Sequence, residues 1–161
     1  MIPENTNHEK FIRLVIEMAG DNALSLTGGP FAAVVVRGGE VVGQGTNKVT
    51  STNDPTAHAE VMAIRDACKN LGTFQLDDCD LYTSCEPCPM CLGAIYWARP
   101  ARVFFAATQK EASAAGFDDS FIYQQIPLPY EQRSIQFINL KYKDFNKPFE
   151  LWVVNDKKTE Y

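Results

Sequence analysis

The chain has 161 residues, 45% of them hydrophobic and 22% charged, which suits one compact domain with a full core. Its formal net charge of -5 argues against a broad basic face for nucleic acid, because phosphate neutralisation needs clustered Lys and Arg, and favours a small or uncharged substrate. No stretch reaches the roughly 18 apolar residues of a membrane span, and the opening residues 1–10 lack the basic-then-apolar order of a signal peptide, so the expected compartment is the cytoplasm.

Thr6-Asn7-His8-Glu9 has the form of a capping box, and Phe11, Ile12, Val15, Ile16 and Ala19 follow at helical spacing, predicting an opening amphipathic helix. After the turn signal Gly28-Gly29-Pro30, the valine-rich runs 31–37 and 40–44 flank Gly38-Gly39 as two strands flank a tight hairpin. Asp54-Pro55 is expected to cap and start a second helix running through Ile64 and Ala67 to a stop near Gly72, with His58 and Glu60 in its opening turns. Residues 80–84 read as a short strand. Pro87 suits a first helical position, placing Cys88 and Cys91 at the start of a helix that ends before Arg99-Pro100. Residues 103–107 form a further strand, and 108–116 are helix or loop, so strands and helices alternate as in a layered α/β fold. Prolines 127, 129 and 148 break the tail into short pieces, with 149–154 a last strand or helix.

Five cysteines is an odd number, and Cys85, Cys88 and Cys91 lie within seven residues, where disulfides would staple almost nothing; metal binding is the better reading. Zinc takes nitrogen and sulfur ligands tetrahedrally, and a catalytic site keeps three from the protein. His58 with Cys88 and Cys91 meets that number. The two cysteines are i and i+3 and share one helical face, and the helix N-terminus favours thiolate over thiol. His58 and Glu60 are i and i+2, so they cannot share a lateral face and must converge beyond the helix end, as two facing helix N-termini would allow. Zinc lowers the pKa of a water it holds to about 7, and a neighbouring carboxylate such as Glu60 can accept that proton and later protonate a leaving amine. An alternative adds Cys85 as a fourth ligand and closes the site structurally, leaving Glu60 without a role. Cys68 and Cys79 read as packing residues, and His8 is not a ligand. Asn47 is either a loop cap or a donor and acceptor to a purine edge. Phe31 and Trp97 are either core residues or platforms for a flat base, and Asp118-Asp119 either cap a helix or face substrate.

His58-Ala59-Glu60 followed by Pro87-Cys88-Pro89-Met90-Cys91 is the zinc deaminase signature. In longer form, residues 54–60 and 83–100, with Gly28-Gly29-Pro30-Phe31 before them and residues 115–121 after, resemble the bacterial guanine deaminases of the cytidine deaminase superfamily over nearly the whole chain. The resemblance implies a three-layer α/β/α domain over residues 1–161 with a central five-stranded mixed sheet. It implies a homodimer in which C-terminal segments swap between subunits, with Zn2+ as the cofactor. It places substrate contacts on Phe31, Asn47, Ala59, Trp97, Asp119 and Tyr161, the last closing the partner's active site. The implied reaction is hydrolytic deamination of guanine to xanthine and ammonia. Guanine's N1–H and exocyclic amine are adjacent donors that the Asp119 carboxylate can accept from. Three alternatives stay open: a guanosine deaminase, a transfer RNA adenosine deaminase, and a zinc-stabilised binding module without turnover.

Overall fold

The structure, a computed structural model, describes residues 6–161, with side chains from His8 onward. The Thr6 side chain, on which the capping box depends, therefore lies outside what is described. The chain forms two compact units, one ending at Asp119 and one from Ser120 to Tyr161.

In the first unit, α1 (Thr6–Leu24) leads into β1 (Ala32–Arg37) and β2 (Glu40–Thr46). Gly38 and Gly39 both take positive φ, as the two-residue hairpin turn between these strands requires. Then follow α2 (Val49–Thr52), α3 (Ala59–Leu71), β3 (Asp80–Cys85), α4 (Pro89–Ala98), β4 (Arg102–Ala107) and α5 (Gln109–Ala114). The strands form one mixed sheet of order β2-β1-β3-β4, antiparallel across the first two pairings and parallel between β3 and β4. Strand β1 is buried on both faces, which is why it reads as an unbroken apolar run. Its Ala33 and Val35 pack with Ala59, Ala63 and Ala67 of α3 and with Ile95 and Ala98 of α4. Its Ala32, Val34 and Val36 pack with Phe11, Val15 and Ala19 of α1. The result is a three-layer α/β/α arrangement, in which each fully buried Val or Phe contributes about 1.5–3 kcal/mol.

Helix α3 lies hard on the hairpin. A Cβ on Gly43 would meet the Ala67 backbone nitrogen at 2.4 Å, and one on Gly45 would meet the Ala59 carbonyl oxygen at 2.5 Å. Those glycines let α3 lie close along β2, its N-terminus near Gly45.

Three expectations need correction. Helix α3 starts at Ala59 rather than at Asp54-Pro55, because Asp54 Oδ1 accepts from the Thr56 amide at 2.8 Å and the Thr56 hydroxyl at 2.7 Å, spending its capping capacity in a turn. Helix α4 takes Pro89, not Pro87, as its first residue, with Cys88 at the N-cap. Among the described residues the sheet has four strands, not five. Residues 149–154, the last segment with strand character, fall mostly in a helix, Lys147–Val153, with Pro148 in its first turn, where a missing N–H costs nothing.

The second unit contains α6 (Ser120–Gln125), a 3-10 turn (Tyr130–Gln132) and α7 (Lys147–Val153). Arg133 organises its middle: Nε donates to the Leu128 carbonyl at 3.0 Å and a terminal nitrogen to the Ile126 carbonyl at 3.1 Å. Its guanidinium lies 4.8 Å from the ring centres of both Tyr130 and Phe137. No helix among the described residues is long and apolar enough to cross a membrane.

Candidate metal centre and substrate contacts

Strand pairing brings the chemically equipped segments to one end of the sheet. Ala32, at the start of β1, pairs with Thr46 at the end of β2; Ala33 pairs with Thr83, and Cys85 at the end of β3 pairs with Ala107 at the end of β4. Phe31, Asn47, Glu86 and Thr108 therefore leave the sheet at the same edge. Side chains fasten that edge, since Ser84 Oγ accepts from the Ala32 amide at 3.1 Å.

Two helix N-termini meet there. His58 is the N-cap of α3 and Cys88 the N-cap of α4, both in extended conformation. Cys91 follows within the first turn of α4 and is fully buried. His58 Nδ1 lies 3.5 Å from Cys88 Sγ and 3.6 Å from Cys91 Sγ, and one ligand atom from each of the three residues lies within 4.8 Å of the others. Glu60, in the first turn of α3 and 6% exposed, accepts from the Cys91 thiol at 3.4 Å. It stands beside the three-donor group and outside it.

The protonation pattern follows from this crowding. The adjacent Cys91 side chain, aided by His58, holds the Cys88 thiol well below its ordinary value. Cys91 is pushed up, first by its neighbour Cys88 and then by burial and the Glu60 charge. His58 is raised chiefly by its bond to Cys88. Burial is the main cause that lifts the Glu60 carboxyl. Three donor atoms stand this close together, and a divalent cation held between them would displace the thiol protons. One histidine and two cysteines fit zinc with a fourth coordination place over. Cys85 is directed elsewhere: its thiol contacts the Thr108 carbonyl at 3.7 Å, and it is not among the clustered donors.

The remaining expected contacts are placed as follows. The half-buried Phe31 ring meets Phe117 edge-on, with centres 4.9 Å apart. Asn47 is 7% exposed, and its Oδ1 accepts from the amides of Gly29 and Val49, each at 3.2 Å. Ala59 is fully buried as the first residue of α3. Asp119 is half-buried; burial raises its carboxyl first, and the negative charges of Cys88, Asp118 and Glu86 add to the effect. Trp97 stands on α4 with 63% of its surface exposed, and Tyr161 ends the second unit, also exposed. Of the others, Cys68 and Cys79 pack in the core, and His8 Nδ1 pairs with the Tyr82 hydroxyl at 2.6 Å.

Two residues here escape a reading by motif. Glu86 accepts from the Gln109 amide at 3.0 Å, tying the metal loop to the start of α5. Asn22, on α1, bonds to the backbone of Gly29 and Asn47. The available signal for Asn22 was a polar residue recurring on the apolar face that holds Phe11 and Val15.

A three-layer domain with a histidine and two cysteines converging at helix N-termini, and a buried glutamate beside them, defines the class of zinc-binding hydrolytic deaminases. Residues 5–107 match the model of the cytidine and deoxycytidylate deaminase zinc-binding region. The chain is 55% identical to guanine deaminase of Bacillus subtilis, over 96% of this chain and 99% of that one. The X-ray structure of that enzyme superposes with a TM-score of 0.95 at 54% identity, covering 97% of this chain and 99% of that one. Guanine deaminase from Nitrosomonas europaea gives a TM-score of 0.64 at 35% identity, covering 68% of this chain and 63% of that one. A tRNA-specific adenosine deaminase of Aquifex aeolicus is 43% identical, over 51% of this chain and 54% of that one. The chain belongs to the cytidine and deoxycytidylate deaminase family.

Proposed function

We propose that the protein is a zinc-dependent guanine deaminase that hydrolyses guanine to xanthine and ammonia. The observation that carries this reading is the joining of the His58, Cys88 and Cys91 cluster to a buried carboxyl, Glu60, through the Cys91 thiol. When bound, zinc supplies a Lewis acid and brings the pKa of a water it holds to about 7. Glu60 takes a proton from the attacking water and returns it to the departing amine, so that a C2–O bond forms, the C2–N bond breaks and ammonia leaves. Burial raises the Glu60 carboxyl, which favours its holding the proton between the two transfers.

Phe31, braced by Phe117, offers a stacking surface for the base. Asn47 donates from its amide, Ala59 lends the backbone at the start of α3, and Trp97 supplies an exposed ring. Asp119 accepts from the N1–H edge. Similarity to guanine deaminase runs through nearly the whole chain, whereas similarity to a tRNA-specific adenosine deaminase covers about half, which supports guanine over an RNA-borne base. The second unit supports a homodimer with exchanged tails. Ile138, Leu140, Phe149 and Leu151 are each at least 60% exposed, an apolar set that a segment of this size cannot bury on itself. Tyr161 would then close the partner's site. The five free cysteines fit a reducing compartment, in keeping with the cytoplasm.

The test is ammonia release by zinc-loaded protein across guanine, guanosine, adenosine and cytidine. Guanine-selective release, abolished by a chelator and restored by zinc, is the expected result. Selectivity for guanosine would move the substrate and keep the chemistry, and no release from any amine would refute the reading.

A further inference from the structure

Asn22 is 4% exposed, and every polar position of its amide is used. Its Nδ2 donates to the carbonyls of Gly29 at 2.7 Å and Asn47 at 3.0 Å. Its Oδ1 accepts from the Thr27 hydroxyl at 2.8 Å and from Lys48 Nζ at 3.4 Å. The network continues one bond further, because the Gly29 amide donates to Asn47 Oδ1, where the Val49 amide converges. A buried helix side chain is thus linked through one loop residue to the side chain of Asn47.

Two features give this linkage a directional consequence. Both partners of Asn47 Oδ1 are backbone N–H groups, which can only donate, so the amide has one orientation and its NH2 remains a donor. The approach is also close: a Cβ on Gly28 would fall 2.0 Å from the Asn47 carbonyl oxygen, so only glycine lets that carbonyl sit where Asn22 reaches it.

We infer that Asn22 is a positioning residue for substrate recognition, holding the Gly28–Gly29 loop and Asn47 in register so that the Asn47 NH2 is presented to an acceptor nitrogen of the purine ring. The inference rests on the reading of Asn47 as a substrate contact. Asn22 touches no substrate and acts through Gly29 and Asn47. A merely architectural asparagine would lower the melting temperature and leave the kinetics of the folded, zinc-loaded enzyme intact. A positioning residue changes KM and couples energetically to Asn47.

The experiment measures zinc content, kcat and KM for guanine in the wild type, Asn22→Ala, Asn47→Ala and the double variant. Zinc content is expected to stay at the wild-type value throughout. Asn47→Ala and Asn22→Ala should each raise KM, by about tenfold, with a smaller change in kcat, and the double variant should be no worse than Asn47→Ala alone. If Asn47→Ala leaves KM unchanged, the substrate-contact reading fails and takes this inference with it. If Asn47→Ala raises KM while Asn22→Ala does not, or if the two effects multiply in the double variant, the inference is overturned and the substrate contact stands. Should Asn22→Ala fail to fold, Thr27→Val removes one donor to Asn22 Oδ1, and Gly28→Ala forces the Asn47 carbonyl away. Both are expected to raise KM with zinc retained, and unchanged KM in both overturns the inference.

Discussion

The Cys91 thiol donates to the Glu60 carboxylate across 3.4 Å, so the residue cast as proton shuttle touches a residue cast as metal ligand. Glu60 is held there by its place in the first turn of α3, and Cys91 by its place in the first turn of α4. Glu60→Gln preserves shape and hydrogen bonding but removes the proton-carrying function. We expect zinc content and melting temperature close to wild type and a loss of turnover of about 10²–10⁴-fold, measured as ammonia released per zinc. Turnover like that of the wild type would exclude the proton-shuttle role.

The cysteines separate a catalytic from a closed structural site. Cys88→Ala removes one of three clustered donors and is expected to abolish stoichiometric zinc binding. Cys85→Ala removes a thiol that contacts the Thr108 carbonyl, outside the cluster, and is expected to retain one zinc per chain with activity near wild type. Zinc analysis on dialysed protein decides both. Loss of metal from Cys85→Ala would make the site four-coordinate by protein.

The metal cluster was legible in the sequence because its signals are local: a His-x-Glu and a Pro-Cys-x-x-Cys each sit near a helix start that a cap or proline marks to within a few residues. The start of α3 lies beyond its Asp54-Pro55 signal because Asp54 has a competing local partner in Thr56. The four-stranded sheet and the role of Asn22 were not legible. Strand number depends on pairing between distant segments, and Asn22 finds its partners 7 and 25 residues away at Gly29 and Asn47, contacts that no sequence period encodes. The second unit was the least legible, since its apolar residues do not form a core within one chain.

The turn before His58 carries a pH dependence. The Asp54 carboxyl is held below its ordinary value of 3.8, first by the Thr56 hydroxyl and then by the Thr56 amide. Because the folded value is the depressed one, the stabilisation is fully present above the unfolded value and is lost as the pH falls through the folded value. The melting temperature of Asp54→Ala is therefore expected to lie below wild type at pH 6, and the two curves should converge as the pH drops below 3.8. A gap that persists unchanged at low pH would show that Asp54 acts through packing alone.

Exchange of C-terminal segments makes a prediction that ordinary truncation cannot. Deleting Tyr161 is expected to lower kcat/KM about tenfold or more with zinc retained, equivalent to about 1.4 kcal/mol of lost transition-state binding. That loss alone would not tell whether the tyrosine serves its own subunit or its neighbour. Mixing the Tyr161 deletion with Glu60→Gln does. If tails are exchanged, a mixed dimer has one site with an intact Glu60 closed by an intact tail from the other subunit. Activity then rises on mixing, toward about a quarter of the wild-type sites at equal amounts. If each tail serves its own subunit, no mixed dimer contains a complete site, and mixing restores nothing.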